Sequence, residues 1–207
     1  MAQSPWPIMN NRICLKPIVH VTMLVFIYLL IGTNFLWADQ GEQAREKIAP
    51  RYGLGLSLGI GYDPSDAQNF MSVTGFALYD YDDIWPHRAP DQLRFKLECS
   101  LGGTVRSDSD FMASAGFLAL YYLDNLSSSF FRPYIEGGVG LIFTEYKVKG
   151  QGSRLNFNPQ AGLGMELIPE SGSIFWMSLR VHHISNAGIK KDNRGINSLV
   201  FQMGRHF

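Results

Sequence analysis

The sequence predicts an all-β fold: an eight-stranded antiparallel transmembrane β-barrel preceded by a cleavable signal peptide. Three observations carry that expectation. After residue 50 the chain is a series of runs in which apolar side chains alternate with small or polar ones, the period-two signature of a two-faced strand. The runs are about ten residues or longer, the length a tilted strand needs to cross a bilayer. The first 38 residues have the layout of an export signal, and the last run ends on an aromatic residue, Phe207, in its apolar row.

Arg12 and Lys16 supply the positive region of the signal. Pro17 to Leu36 is mostly apolar, densest from Met23 to Ile31, and Trp37-Ala38-Asp39 offers a small residue at the cut. A retained membrane anchor is the competing reading, but the uninterrupted apolar core is shorter than the roughly 20 residues a spanning helix requires. Residues 39–50 follow as a short periplasmic segment and residues 51–207 as the barrel. The two cysteines form no disulfide framework. Cys14 precedes the apolar run, so cleavage after that run cannot make it a lipoprotein cysteine. Cys99 reads as a small apolar residue on an outward strand position rather than a metal or redox group. No metal and no cofactor is expected.

The first run, near Arg51 to Tyr62, alternates Tyr52, Leu54, Leu56, Leu58, Ile60 and Tyr62 with glycines and Ser57. The second, Phe70 to Tyr79, is less regular. In the third, Leu93 to Val105, the apolar row Leu93, Phe95, Leu97, Cys99, Leu101 opposes Arg94, Lys96, Glu98 and Ser100. The fourth spans Phe111 to Leu123. The fifth, Pro133 to Phe143, sets Ile135, Val139, Leu141 and Phe143 against Tyr134, Glu136, Gly138 and Gly140; the sixth, Leu155 to Leu167, sets Phe157, Ala161, Leu163 and Met165 against Asn156, Asn158, Gln160 and Glu166. Ile174 to Ile184 and Gly195 to Phe207 complete the eight.

Alternation alone fits a secreted sandwich, with its apolar face inward, as well as a membrane barrel with its apolar face toward lipid. The export signal, the run lengths and the terminal aromatic favour the barrel, and closure satisfies every backbone group in lipid. The inward charges Arg94, Lys96 and Arg180 balance Glu98, Glu136 and Glu166, which predicts a lumen filled by ion pairs rather than a pore. A formal net charge of zero argues against nucleic acid as the partner, since phosphate binding needs a clear basic excess. The connection Asp80 to Asp91 is long for the periplasmic side, and Trp85 within it suits a membrane interface.

The seventh run ends in Val181-His182-His183-Ile184-Ser185-Asn186-Ala187-Gly188. By parity His183 and Ser185 continue the apolar row, whereas His182 points to the lumen. Residues i and i+2 lie about 6.6–6.8 Å apart, within reach of an imidazole acting as general base toward a serine hydroxyl. A hairpin symmetric about the following loop sets Asn197 opposite His183 at a spacing of about 5 Å, where the orienting member of a triad belongs. Polar groups in a lipid-facing row tend to be functional; above the bilayer, in a wet rim, they would cost nothing, and both placements are open on the sequence.

His183-Ile184-Ser185-Asn186-Ala187-Gly188-Ile189, then Asn193-Arg194-Gly195-Ile196-Asn197-Ser198 and the terminal aromatic, resemble the lipid A 3-O-deacylase (PagL) family of outer-membrane enzymes. The motif covers about 25 residues, and the signal and strand layout cover the rest. The resemblance implies an eight-stranded barrel in the bacterial outer membrane with lipid A, or lipopolysaccharide, as substrate. It implies hydrolysis of the ester-linked acyl chain at the 3 position, with Ser185 as nucleophile and His183 as base. Asn186, Gly188 and Asn193 would fall in the oxyanion-stabilising region. The family's third triad member is a glutamate, and Asn197 stands in its place: it can accept the imidazole N–H but supplies no negative charge. Asp192 is the nearest carboxylate in sequence and lies in the loop. Lys190, Lys191 and Arg194 lie where lipid A phosphates would sit, or are ordinary solvated charges. Three readings remain open: a lipid A deacylase acting as monomer or homodimer, an esterase for other acylated lipids, and a non-enzymatic barrel that keeps the motif.

Overall fold

The computed structural model describes residues 49–85, 88–105, 109–170 and 172–207. The expected signal peptide and nearly all of the segment 39–50 lie outside these residues. The described chain is a closed antiparallel sheet of nine strand segments: β1 Arg51–Asp63, β2 Phe70–Asp80, β3 Leu93–Thr104, β4 Phe111–Tyr122, β5 Phe131–Thr144, β6 Leu155–Phe157, β7 Gln160–Leu167, β8 Phe175–Ile184 and β9 Ile196–His206. Consecutive strands pair except β6 and β7, which both pair with β5; β9 returns to β1, and β4 pairs with β5, so no open edge remains.

β6 and β7 are one stave, so the barrel has the eight staves expected from the sequence. Leu141 faces Phe157 and Gly138 faces Gln160, the same register on both sides of Asn158-Pro159. Pro159 accepts from His183 N of β8 through its carbonyl but has no N–H to return, so the pairing with β8 is incomplete there.

Parity follows the sequence. Leu54, Leu56, Leu58 and Ile60 of β1, Leu97 and Leu101 of β3, Leu163 of β7 and Val181 of β8 are all exposed on the outside. A sandwich would bury these rows; a barrel in lipid exposes them. With closure, this defines an outer-membrane-type barrel.

The lumen is packed in three layers. Toward the chain termini, Phe76, Leu78, Leu120, Tyr122, Tyr134 and Trp176 form an apolar plug. Toward the opposite end, Phe70, Met112, Ile142, Tyr146, Val148, Ile184, Ile196 and Val200 form another. Gly53 and Gly59 leave room for these rings, since a Cβ there would come within 2.4 Å of Phe76 and 2.1 Å of Phe70.

Between the plugs lies the charged layer. Arg180 reaches Glu98 at 2.6 Å and Glu136 at 2.7 Å, and Lys96 reaches the same carboxylates at 3.3 and 3.2 Å. The Lys96 ammonium also sits 4.1 Å from the centre of the Phe76 ring, a cation–π contact. The remaining two expected charges recruit partners from outside the predicted set. Glu166 pairs with Arg51 at 2.9 Å, and Arg94 lies 3.9 Å from Asp80. The lumen is therefore plugged by ion pairs, as the balanced charges require.

The long connection after β2 holds a single helical turn, α1 (Tyr81–Ile84). Beyond it Trp85 sets its edge against Phe95 on the outward row of β3, 6.0 Å between ring centres. An exposed aromatic there is suited to the polar–apolar boundary of a bilayer.

Arg180 is fully buried between two carboxylates, so Arg180→Met strands Glu98 and Glu136 with Lys96 alone. It is expected to destabilise the barrel by about 3–5 kcal/mol, read as a lower urea midpoint in detergent. Arg132→Ala, which breaks a half-exposed pair with Asp124, is expected to cost no more than about 1 kcal/mol.

Candidate active site

The site is built where β8 and β9 meet, on the outward face, at the end of the barrel away from the termini. His183 faces Asn197 across the ladder, the register that a symmetric hairpin predicts. Val181 and Leu199, one step back along the same rows, are exposed, so the two polar side chains do interrupt an apolar belt. His182 is buried on the lumen side, with Nδ1 3.1 Å from Ser198 Oγ.

His183 Nδ1 lies 2.6 Å from Asn197 Oδ1, and Asn197 Nδ2 donates to Asp63 Oδ2 at 2.8 Å. This chain fixes the imidazole tautomer. A carboxylate only accepts, so the Asn197 amide must present its NH2 to Asp63 and its oxygen to His183. His183 Nδ1 must then donate, which leaves Nε2 as the proton acceptor of the neutral ring.

Asp63 is the residue that sequence parity hides. It follows Tyr62 of the outward row and would face the lumen in an unbroken strand. A bulge between Gly61 and Asp63 shifts the register: Gly61 pairs with Ser198, and Asp63, not Tyr62, pairs with Asn197. The extra residue turns Asp63 to the outer face. Its second oxygen accepts from Arg194 Nη2 at 2.5 Å. Arg194, expected as a phosphate contact or an ordinary solvated charge, is engaged with Asp63.

Gly195 forms the floor under the ring. A Cβ there would lie 2.5 Å from His183 Cε1 and 3.1 Å from Nε2, so only glycine admits the imidazole in this position.

Ser185 sits at the end of the β8 row, half-buried. Its backbone forms a bridge with Phe157 of β6, Ser185 N donating to Phe157 O at 3.0 Å and Phe157 N to Ser185 O at 2.8 Å. Among the described residues no hydrogen bond joins Ser185 Oγ to His183. The two lie two residues apart across the end of β8 and are unbonded, and catalytic contacts of this kind commonly tighten only when substrate binds.

The expected oxyanion residues form a stapled turn. Asn186 is buried; its Oδ1 accepts from Gly188 N at 3.0 Å and Lys190 N at 3.3 Å, and its Nδ2 donates to Asp192 O at 2.9 Å. Asn186 N donates to Asn193 Oδ1 at 2.8 Å. Ile189 N closes the turn on Asn186 O, with Ala187 (φ 53°) and Gly188 (φ 83°) both left-handed, a type I′ arrangement. The N–H groups of Asn186 and Gly188 are therefore occupied within the turn. Asn193, held through Oδ1, keeps its Nδ2 as an unengaged donor among the described contacts.

Neighbouring loops lock this one. Gly152 N donates to Asp192 O, Arg194 N donates to Gly150 O, and Lys149 N donates to Asp66 Oδ2. Lys190 and Lys191 are exposed at the tip, and Asp192, also exposed, contributes only its backbone carbonyl to this frame.

The fold and site define a class, an outer-membrane β-barrel that carries a histidine, a serine and an amide on the outward face of its sheet. Within that class the chain belongs to the lipid A 3-O-deacylase (PagL) family, whose profile matches residues 72–206. It is 41% identical over 69 residues to the lipid A deacylase PagL of Bordetella bronchiseptica; that stretch is 32% of this chain and 36% of the relative, so the chain matches about a third of the relative's length. Among solved structures, that of the outer membrane enzyme PagL superposes with a TM-score of 0.50 at 22% identity, covering 75% of this chain and 98% of the other. Neisserial surface protein A superposes with a TM-score of 0.57 at 15% identity, covering 76% and 95%. At these identities the two superpositions show the fold. The barrel and its outer-membrane location agree with the sequence-based expectation.

Gly195→Ala is expected to push the imidazole off Asn197. Nitrogen NMR of the barrel in micelles would show this as loss of the hydrogen-bonded His183 Nδ1–H resonance, without loss of the folded barrel's other signals.

Proposed function

We propose that this protein is an outer-membrane serine esterase that removes the ester-linked acyl chain at the 3 position of lipid A. The observation that carries the reading is His183. Its tautomer is fixed by Asn197, it stands on the apolar outer face two residues before Ser185, and the chain belongs to a family defined by this deacylation.

His183 Nε2 takes the proton of Ser185 Oγ as that oxygen adds to the ester carbonyl. The carbonyl oxygen becomes an oxyanion, for which Asn193 Nδ2 is the available side-chain donor. Collapse breaks the bond to the alkoxy oxygen, which leaves as the sugar hydroxyl after receiving the proton from His183. The acyl group remains on Ser185 until water, deprotonated by His183, adds and releases it as the free acid. Asn186 and Gly188 support this region by holding the turn. No metal or cofactor enters the scheme.

Placement on the outer face gives the substrate a route. A lipid in the outer leaflet slides its acyl chain along the exposed row of Val181 and Leu199 without leaving the membrane. Its phosphorylated headgroup meets Lys190 and Lys191 at the loop tip, where charge-assisted contacts hold it. Arg194 contributes to that site only at the expense of its pair with Asp63.

A second reading, a non-enzymatic surface barrel, draws on the unbonded Ser185 and on asparagine at position 197. Mass spectrometry of lipid A from expressing cells separates the two. The parent protein is expected to yield lipid A short of one 3-linked acyl chain. Ser185→Ala should leave lipid A intact, and His183→Ala should lower turnover by about 10³-fold or more. Identical lipid A profiles for parent and Ser185→Ala would sink the esterase reading.

A further inference from the structure

We propose that Asp63 supplies the negative charge of this site, acting on His183 through the side-chain amide of Asn197. The inference rests on the reading of His183 and Ser185 as base and nucleophile, and it assigns the carboxylate that the substitution at position 197 removes.

Three observations support it. The hydrogen bonds run without a gap from His183 Nδ1 to Asn197 Oδ1 and from Asn197 Nδ2 to Asp63 Oδ2. Because the amide is both acceptor and donor, negative charge on Asp63 polarises it so that its oxygen becomes a better acceptor for the imidazole N–H. The bulge at Gly61/Asp63 exists at the one register position that brings a carboxylate to this face; an unbroken β1 would present Tyr62. The alternative carboxylate is accounted for elsewhere, since Asp192 lies exposed on the loop and only its carbonyl is engaged, with Asn186 and Gly152.

Asp63 touches no reacting atom and is a positioning residue. When Ser185 gives its proton to Nε2, the ring becomes an imidazolium whose Nδ1 proton stays in place. No proton passes to Asn197 or Asp63. Asp63 holds Asn197 in the orientation that fixes the tautomer, and its charge favours the imidazolium across the amide. Arg194 on the other oxygen keeps the carboxylate from turning away.

The test is a double-mutant cycle on purified barrel, following fatty-acid release from lipid A in detergent micelles. Asp63→Asn keeps the shape and removes the charge. It is expected to lower kcat roughly 10- to 100-fold with little change in KM, less than the about 10⁴-fold seen when a carboxylate in direct contact with the histidine is lost. Asp63→Glu should recover part of that rate. In an Asn197→Glu background the charge sits directly on the imidazole and repels Asp63, so Asp63→Asn should then raise kcat several-fold. An unchanged kcat for Asp63→Asn overturns the proposal, as does an equal loss in both backgrounds, which would mean a loop-holding role alone. If Ser185→Ala turns over like the parent, it is the esterase reading that fails. The linkage is then judged by the His183 Nδ1–H resonance, which moves in Asp63→Asn if the relay operates and stays put if it does not.

Discussion

Closure of the sheet is the constraint on which everything else depends. Once β9 pairs with β1 and β4 with β5, every strand has one face in lipid and one in a narrow lumen, and no backbone group is left to water. That single condition dictates the apolar outer rows, the glycines that admit rings to the lumen, and the buried ions. Four charges in such a lumen are tolerable only because each is paired more than once: Arg180 spans Glu98 and Glu136, and Lys96 joins the same two. Removing charge from water costs several kcal/mol per ion, so the layer specifies how the lumen packs more than it adds stability.

Closure also makes the site. Pro159, His183, Asn197 and Asp63 lie side by side on four adjacent staves. Pro159 accepts from His183 N through its carbonyl, and Asn197 and Asp63 complete the row from the other side. The first stave thus reaches the last, and residues 134 positions apart in sequence form one hydrogen bond. An open sheet would put Asp63 and Asn197 on opposite edges.

Much of this was legible in the sequence, and the exception is instructive. Strand parity assigned His183, Ser185 and Asn197 to the outer face, because two long apolar rows leave no freedom in a period-two pattern. Register followed from the length of the β8–β9 loop. Asp63 was not legible, because one extra residue reverses parity at a strand end and no composition signal marks that bulge. The Asn186 staple was hidden for a related reason: a side chain suited to an oxyanion site is equally suited to capping its own turn, and only the hydrogen bonds reveal which it does.

On the proposed mechanism, an asparagine at position 197, where the resemblance implies a glutamate, changes where the charge is held. A glutamate at position 197 would place a carboxylate beside the imidazole within the apolar belt, and ions there are costly to desolvate. Asn197 puts a neutral amide in that position, and the charge sits one residue further out. Asp63 keeps 40% of its side chain exposed and pairs there with the half-exposed Arg194. The desolvation cost falls because the ion stays at the wet margin of the belt. The electrostatic benefit to the imidazole falls too, since distance and the adjacent guanidinium both weaken the field. On the proposed mechanism this geometry trades strength of the base for ease of burial, and turnover depends on a residue in the first strand.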